Sequence, residues 1–310
     1  MRWRHLRRSS NVEDARNADP RAGGMPGGGM RAGLPIGGKM GGIGFIAVLA
    51  IAYFIGGPDA LMSVLSGGGG GMTQAPGAAM PGQVEDAGAP AARSGSPPTD
   101  DAGAFIASML GSTEDVWTQL LAAEGRRYEA PTLKLFREGT DSGCGFNTSA
   151  VGPFYCPPDR KVYLDLSFYD QLAQMGGAGD FAQAYVVGHE VGHHLQNLMG
   201  TAARVHALRQ QVSETEANQL QVRMELQADC YAGVWAHHAN RADVKVLEPG
   251  DVEEGMEAAR AIGDDTLQRN AGRQVSPDSF THGSSAQRMQ WLRRGLETGR
   301  IEACDTFAGR

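Results

Sequence analysis

The chain has no excess of basic charge. Lys and Arg number 28 against 35 Asp and Glu, a net charge of −7. The deficit is uneven, because residues 1–40 hold eight Lys/Arg and only three acids, which leaves everything beyond them strongly acidic. An acidic body lacks the basic face that phosphates require, and this excludes nucleic acid as a partner. Cysteine is scarce. There are four (Cys144, Cys156, Cys230, Cys304), and no two have C-x-x-C spacing, which excludes a zinc ribbon. Internal repeats are absent. Glycine, in contrast, is abundant at 44 of 310 residues, and much of it is clustered. Glycine clusters bury no apolar surface, so a single globule built from the whole chain is excluded. About 200 residues remain, enough for one self-sufficient core.

Long apolar runs are absent except for one. Residues 41–58, GGIGFIAVLAIAYFIGGP, carry no charge. At about 1.5 Å per residue the run spans roughly 27 Å, close to a hydrocarbon core of about 30 Å. A buried core helix and a cleaved signal peptide are the competing readings. Glycine tracts on both sides leave the first nothing to pack against, and about 40 preceding residues are too many for the second. The favoured reading is one uncleaved transmembrane helix over 41–65. The basic residues before it place the N-terminus in the cytoplasm. The expected organisation is therefore a basic, disordered cytoplasmic tail (1–40), the span (41–65), a Gly/Pro/Ala-rich linker (66–103) and a folded domain outside (104–310). All four cysteines fall on that outer side, where disulfides persist. Four cysteines allow three pairings. Cys144 and Cys156 bracket a short Gly/Pro-rich stretch and are paired here, which leaves Cys230 with Cys304.

The domain reads as α+β, mostly helical with a small sheet. Helical spacing is expected over Phe105–Leu110 and Val116–Leu121, with Ser112/Thr113 as a start signal between them. Strands are expected at Leu133–Phe136 and Val162–Leu166. Further helices are expected at Ser167–Met175, Asp180–Met199, Glu214–His238, Val252–Ile262 and Ser284–Leu296. Ser213 and Glu216 have capping-box spacing, and Gly200 is a stop.

His189-Glu190-Val191-Gly192-His193 is H-E-x-x-H within a helical stretch. Residues i and i+4 share a helix face, so the two imidazoles converge, and neutral imidazole nitrogen suits Zn²⁺. Glu190 is rotated roughly 100° from His189, free to act on water rather than bind metal. Glu225 and Asp229 are a second i, i+4 pair, set among apolar residues of the Glu214–His238 helix. Two buried acids need a cation or a donor. A zinc ion for Glu225 and an imidazole N–H for Asp229 answer that need, the competing reading being a pair of solvated helix acids.

HEVGHHLQN followed by ELQADCYAG resembles the gluzincin type of metallopeptidase. With MRWRHLRRSSNVEDAR, CGFNTSAVGPFYCPPDRKVYLDLSFYDQL and THGSSAQR, the chain is most similar to the putative neutral zinc metallopeptidase family of bacterial membrane-anchored proteins. The resemblance implies a zincin-like fold, Zn²⁺ as cofactor, and a peptide or protein substrate. It implies His189, His193 and Glu225 as ligands, Glu190 as catalytic base and Asp229 as partner of a ligand histidine. It also implies a bacterial inner-membrane protein with its catalytic domain periplasmic or extracellular. In such folds a sheet edge pairs with extended peptide, and Val162–Leu166 is the candidate edge. His282, in a loop before a helix, is the candidate oxyanion donor, a surface or packing histidine being the competing reading. Arg288 is read as a residue that holds that loop. His194 points about 100° away from His193 and is not expected to bind metal. The expected activity is zinc-dependent endopeptidase, with a non-catalytic zinc-containing binding module of the cell envelope as the alternative.

Overall fold

Alternation at period two builds the sheet. In the computed structural model, which describes residues 1–18, 97–241 and 244–308, β2 (Thr132–Phe136) and β6 (Lys161–Asp165) pair in parallel at its centre. Leu133, Leu135, Val162 and Leu164 face the main core. Phe136 and Tyr163 face the other side, where they pack with Cys156 and Phe154. Two further strands flank this pair: β1 (Val12–Asp14) beside β2 in parallel, and β5 (Phe154–Cys156) beside β6 antiparallel. The sheet order is β1-β2-β6-β5. A separate hairpin, β3 (Gly139–Ser142) with β4 (Gly145–Thr148), lies between β2 and β5 in sequence.

Eight helices are present among the described residues: α1 (Asp101–Ala123), α2 (Ser167–Gln174), α3 (Asp180–Leu198), α4 (Thr201–Arg209), α5 (Glu214–Ala239), α6 (Asp251–Ala261), α7 (Asp264–Asn270) and α8 (Ser285–Thr298). The α+β, mostly helical reading holds. α5 starts at the expected Ser213/Glu216 capping box, and α8 has a second such box from Ser284 and Gln287. α3 and α5 cross at the centre of the domain. The closeness of that crossing is written in small residues. A Cβ on Gly192 would lie 2.9 Å from the Ala228 backbone, and one on Gly188 would lie 2.9 Å from the Trp235 ring. Both disulfides form as paired above, Cys144–Cys156 and Cys230–Cys304.

Four expectations need correction. Residues 1–18 are not a disordered tail: Val12 is 4% exposed in the main core, and β1 is a full member of the sheet. After that segment the described fold resumes with α1 at Asp101 rather than 104, with Asp100 accepting the Gly103 N–H. Ser112 and Thr113 start no helix. They lie inside α1, where Ser112 Oγ accepts from Trp235 Nε1 and Thr113 Oγ1 donates back to the Leu110 carbonyl. Val162–Leu166 is not a sheet edge, because β5 returns along β6 and takes that place. The expected span at 41–65 and the linker up to residue 96 lie outside the described residues. Among the described residues no helix is long and apolar enough to cross a membrane.

Candidate metal centre

The H-E-x-x-H segment lies in the middle of α3, and Glu225 and Asp229 lie in the buried half of α5. The Gly192–Ala228 approach brings the two motifs face to face. Three donor atoms then converge. His189 Nε2 is 3.2 Å from Glu225 Oε2 and 3.2 Å from His193 Nε2, and His193 Nε2 is 3.4 Å from Glu225 Oε2. A tetrahedral zinc with bonds of about 2.0–2.1 Å sets its ligand atoms about 3.3–3.4 Å apart. The trio has that spacing without rearrangement.

The far side of each imidazole fixes which nitrogen faces the trio. His189 Nδ1 donates to Asp229 Oδ1 at 2.8 Å, and His193 Nδ1 donates to Gln196 Oε1 at 2.9 Å. Gln196 is itself held, donating to the Met224 carbonyl at 2.6 Å. With both Nδ1 protons committed outward, two Nε2 lone pairs and a carboxylate point at one another. That arrangement favours positive charge at its centre. Gln221 Nε2 donates to the other Glu225 oxygen at 2.8 Å.

Titration shifts carry the same message. Burial alone would raise Glu225, but the imidazoles of His193 and His189 outweigh it and hold its carboxyl well below the ordinary range. Burial would lower His189, but Asp229 and Glu225 push it up to about 9. Asp229 is completely buried. Burial opposes its ionisation, yet the Arg288 guanidinium and His189 bring it down to about 2. Arg288 grips this carboxylate with two bonds, Nε to Oδ2 and Nη2 to Oδ1, both 2.9 Å. The Tyr185 hydroxyl donates to Oδ1 at 2.6 Å.

Glu190 stands beside the trio rather than in it. Its Oε2 is buried and has no hydrogen-bond partner among the described residues. Burial raises its pKa, the direction a general base near neutrality needs. A carboxylate oxygen left unpaired in an apolar setting is costly unless a water or substrate reaches it. The residues present therefore fit a zinc ion held by His189, His193 and Glu225, with the Glu190 carboxylate left over for another partner.

His282 lies in the loop before α8, 3.4 Å from Asp264 Oδ1. Its backbone N–H and those of Thr281 and Gly283 all donate to Asp264 Oδ2, at 2.6, 2.8 and 2.9 Å. The ring is near enough to Glu225 to help keep it ionised. His194 turns away from the centre, as expected. His237 and His238 end α5 and bond to the Leu296 and Gly299 carbonyls. A second acidic group, Asp180, Asp251 and Glu254, meets the Met1 α-amino group, which lies 2.7 Å from Asp180 and 3.4 Å from Asp251. Sequence reasoning missed Gln196 and Tyr185, although both are in helical register with a ligand, at i+3 from His193 and i−4 from His189. Arg288, read as a residue that holds the His282 loop, grips Asp229. It is 59 residues away from it in sequence, so no spacing pointed to the contact.

A family model described as putative neutral zinc metallopeptidase matches residues 1–307. The chain is 45% identical over 308 residues to an uncharacterized protein, YpfJ, of Escherichia coli K12, covering 99% of both chains. It is 42% identical over 207 residues to the uncharacterized proteins Mb2605 of Mycobacterium bovis and Rv2575 of Mycobacterium tuberculosis, covering 64% of this chain and 68% of each relative. No solved structure matches the chain.

Proposed function

The chain belongs to the putative neutral zinc metallopeptidase family, and from that premise we propose that it is a zinc-dependent endopeptidase. The observation that carries the reading is the pairing of a tetrahedrally spaced His189–His193–Glu225 trio with a buried, unpartnered Glu190 oxygen. Zinc, when bound, supplies Lewis acidity that brings a water pKa down towards about 7. Glu190 takes the proton of the attacking water and returns it to the departing amine nitrogen. Asp229 and Gln196 keep both Nε2 lone pairs aimed at the trio. His282, on its Asp264-fastened loop, donates to the oxyanion. β5, the strand beside β6 at the end of the described sheet, is the candidate edge for an extended peptide, and it lies against α3 through Tyr155 and Asn197. Placement of the domain in an oxidising compartment is supported by its two disulfides.

The test is cleavage of casein by the purified full-length protein, with zinc content measured alongside. Chelator is expected to abolish cleavage and zinc to restore it. Glu190→Gln is expected to keep its zinc and lose at least about 100-fold in rate. Zinc bound stoichiometrically with no cleavage of any peptide, and Glu190→Gln indistinguishable from the parent in cells, would favour the binding-module reading instead.

A further inference from the structure

The stretch of chain that supplies the two histidines returns to the third ligand. Gly200, at a positive φ of 77°, turns the backbone after α3, and α4 then packs on α5. Val205 of α4 lies with Leu220 and Met224 of α5, and Ala202, Leu208 and Val212 join them. That apolar seam sets Arg209, the last residue of α4, beside Gln221 of α5. Arg209 Nη1 donates to Gln221 Oε1 at 2.8 Å, and Gln221 Nε2 donates to Glu225 Oε1 at 2.8 Å. Gln221 and Glu225 are i and i+4 on α5, so they share a face. The bond to Gln221 is the one side-chain hydrogen bond of Arg209 among the described residues, and the Arg209 Nε is buried with no partner there.

A side-chain amide carries a donor at one end and an acceptor at the other, and its neighbours decide which end faces which way. A guanidinium has only donors, so Arg209 draws the Gln221 oxygen to itself and turns Nε2 towards Glu225. The two Glu225 oxygens are thereby divided. Oε1 is taken by Gln221, and Oε2 is left facing the imidazoles, 3.2 Å from His189 Nε2 and 3.4 Å from His193 Nε2. A Glu carboxylate otherwise rotates broadly about its last side-chain bond, and the Gln221 contact removes that freedom. We infer that Arg209 and Gln221 are positioning residues for the third metal ligand: Arg209, acting through the Gln221 amide, fixes Oε2 as the oxygen that Glu225 turns to His189 and His193. The inference rests on the zinc reading proposed above. It adds to the supports of the histidines, Asp229 and Gln196, a separate support for the carboxylate.

The experiment measures zinc affinity of the purified full-length protein by competition with a chromophoric chelator, and records the unfolding midpoint of each metal-free variant beside it. Gln221→Met keeps the length of the side chain and removes both bonds, and is expected to weaken zinc binding about 10-fold. Arg209→Met is expected to weaken it about fivefold, the worth of one ordinary hydrogen bond. Arg209→Lys still donates to the amide and is expected to stay near the parent. Arg209→Met added to Gln221→Met is expected to cost nothing more, because the relay is already cut. Arg209→Glu reverses the pull: the new carboxylate draws Nε2 and turns Oε1 against Glu225 Oε1. It is expected to bind zinc more weakly than Gln221→Met, and adding Gln221→Met is expected to recover the difference. Parent-like affinity in Gln221→Met overturns the inference. So do losses that simply add in the double variants, since a residue that only supports packing has no means of cancelling another's effect. Where Arg209→Glu fails to fold, Arg209→Met and Arg209→Lys decide, and equal losses in the two overturn the inference. Failure of the zinc reading shows separately, as a parent that binds zinc no more tightly than His189→Ala, and it takes this inference with it.

Discussion

Arg288 commits its guanidinium to Asp229, and Asp229 in turn holds the proton of His189. Replacing Arg288 with Gln leaves a buried carboxylate with the Tyr185 hydroxyl and one imidazole N–H but without its countercharge. Loss of such a supporting partner typically weakens metal binding by about 10–100-fold. Competition with a chromophoric chelator should find that drop in Arg288→Gln, and a smaller one in Arg288→Lys, which keeps the charge but not the two-pronged geometry. Parent-like zinc affinity in Arg288→Gln would show that the grip on Asp229 does not reach the ligand. His194 makes a different prediction. Burial lowers its pKa to about 4. Its Nδ1 accepts from the Tyr155 hydroxyl at 3.0 Å, which needs the neutral ring, while its Nε2 donates to the Glu129 carbonyl at 2.6 Å, a bond that opposes the shift but does not outweigh burial. The unfolded chain takes up that proton near pH 6.5, so stability should fall as pH drops from about 6.5 towards 4, by up to about 3 kcal/mol. Urea unfolding at pH 7.5 and 5 should show a steeper loss in the parent than in His194→Gln. At this scale the trio and Asp229 were legible because His189 and His193, and Glu225 and Asp229, each repeat at i, i+4. Tyr185 and Gln196 were equally in register but looked like ordinary helix residues, and Arg288 acts across a distance that no local pattern encodes.

The crossing of α3 and α5 is the element-scale feature on which the centre depends. Gly192, the last x of H-E-x-x-H, lets the two backbones approach so that Glu225 reaches both imidazoles. Gly192→Ala would normally favour a helix, by about 1 kcal/mol. Here the added methyl meets the Ala228 backbone and forces the helices apart, so the expected outcome is a net destabilisation of about 2 kcal/mol together with loss of tight zinc binding. Calorimetry with a parallel zinc titration checks both. Helix ends were readable wherever a cap is local: Ser213 with Glu216, Ser284, and Gly200, which adopts a positive φ of 77°. β2 and β6 were readable from their alternation. What escaped was short or continuous. β1 and β5 have three residues each, too few to show a period. α1 was split in two because Ser112 and Thr113 look like a cap, while the partners that satisfy them, Trp235 and Leu110, include one that only the fold supplies.

Across the whole molecule the two disulfides close loops of very different length but of similar worth. Cys144–Cys156 closes a separation of 12 residues, and Cys230–Cys304 one of 74. In the chain-entropy description the shorter loop is worth about 3 kcal/mol and the longer about 4 kcal/mol, because the cost of closure grows only with the logarithm of length. Their places in the fold differ more than those figures. Cys144–Cys156 pins the β3–β4 hairpin to edge strand β5. Cys230 follows Asp229 directly, and Cys304 offers its carbonyl to Gln227 Nε2 at 3.1 Å. The second bridge thus fastens the C-terminal segment against the turn of α5 that carries Glu225 and Asp229. Replacing both members of each pair with Ser should lower urea-unfolding stability by similar amounts in the two variants. Zinc affinity should separate them, falling in the Cys230/Cys304 variant and staying near the parent in the Cys144/Cys156 variant. Equal losses of zinc affinity in both would mean that the metal centre responds to global stability alone, and that the C-terminal segment gives α5 no local support.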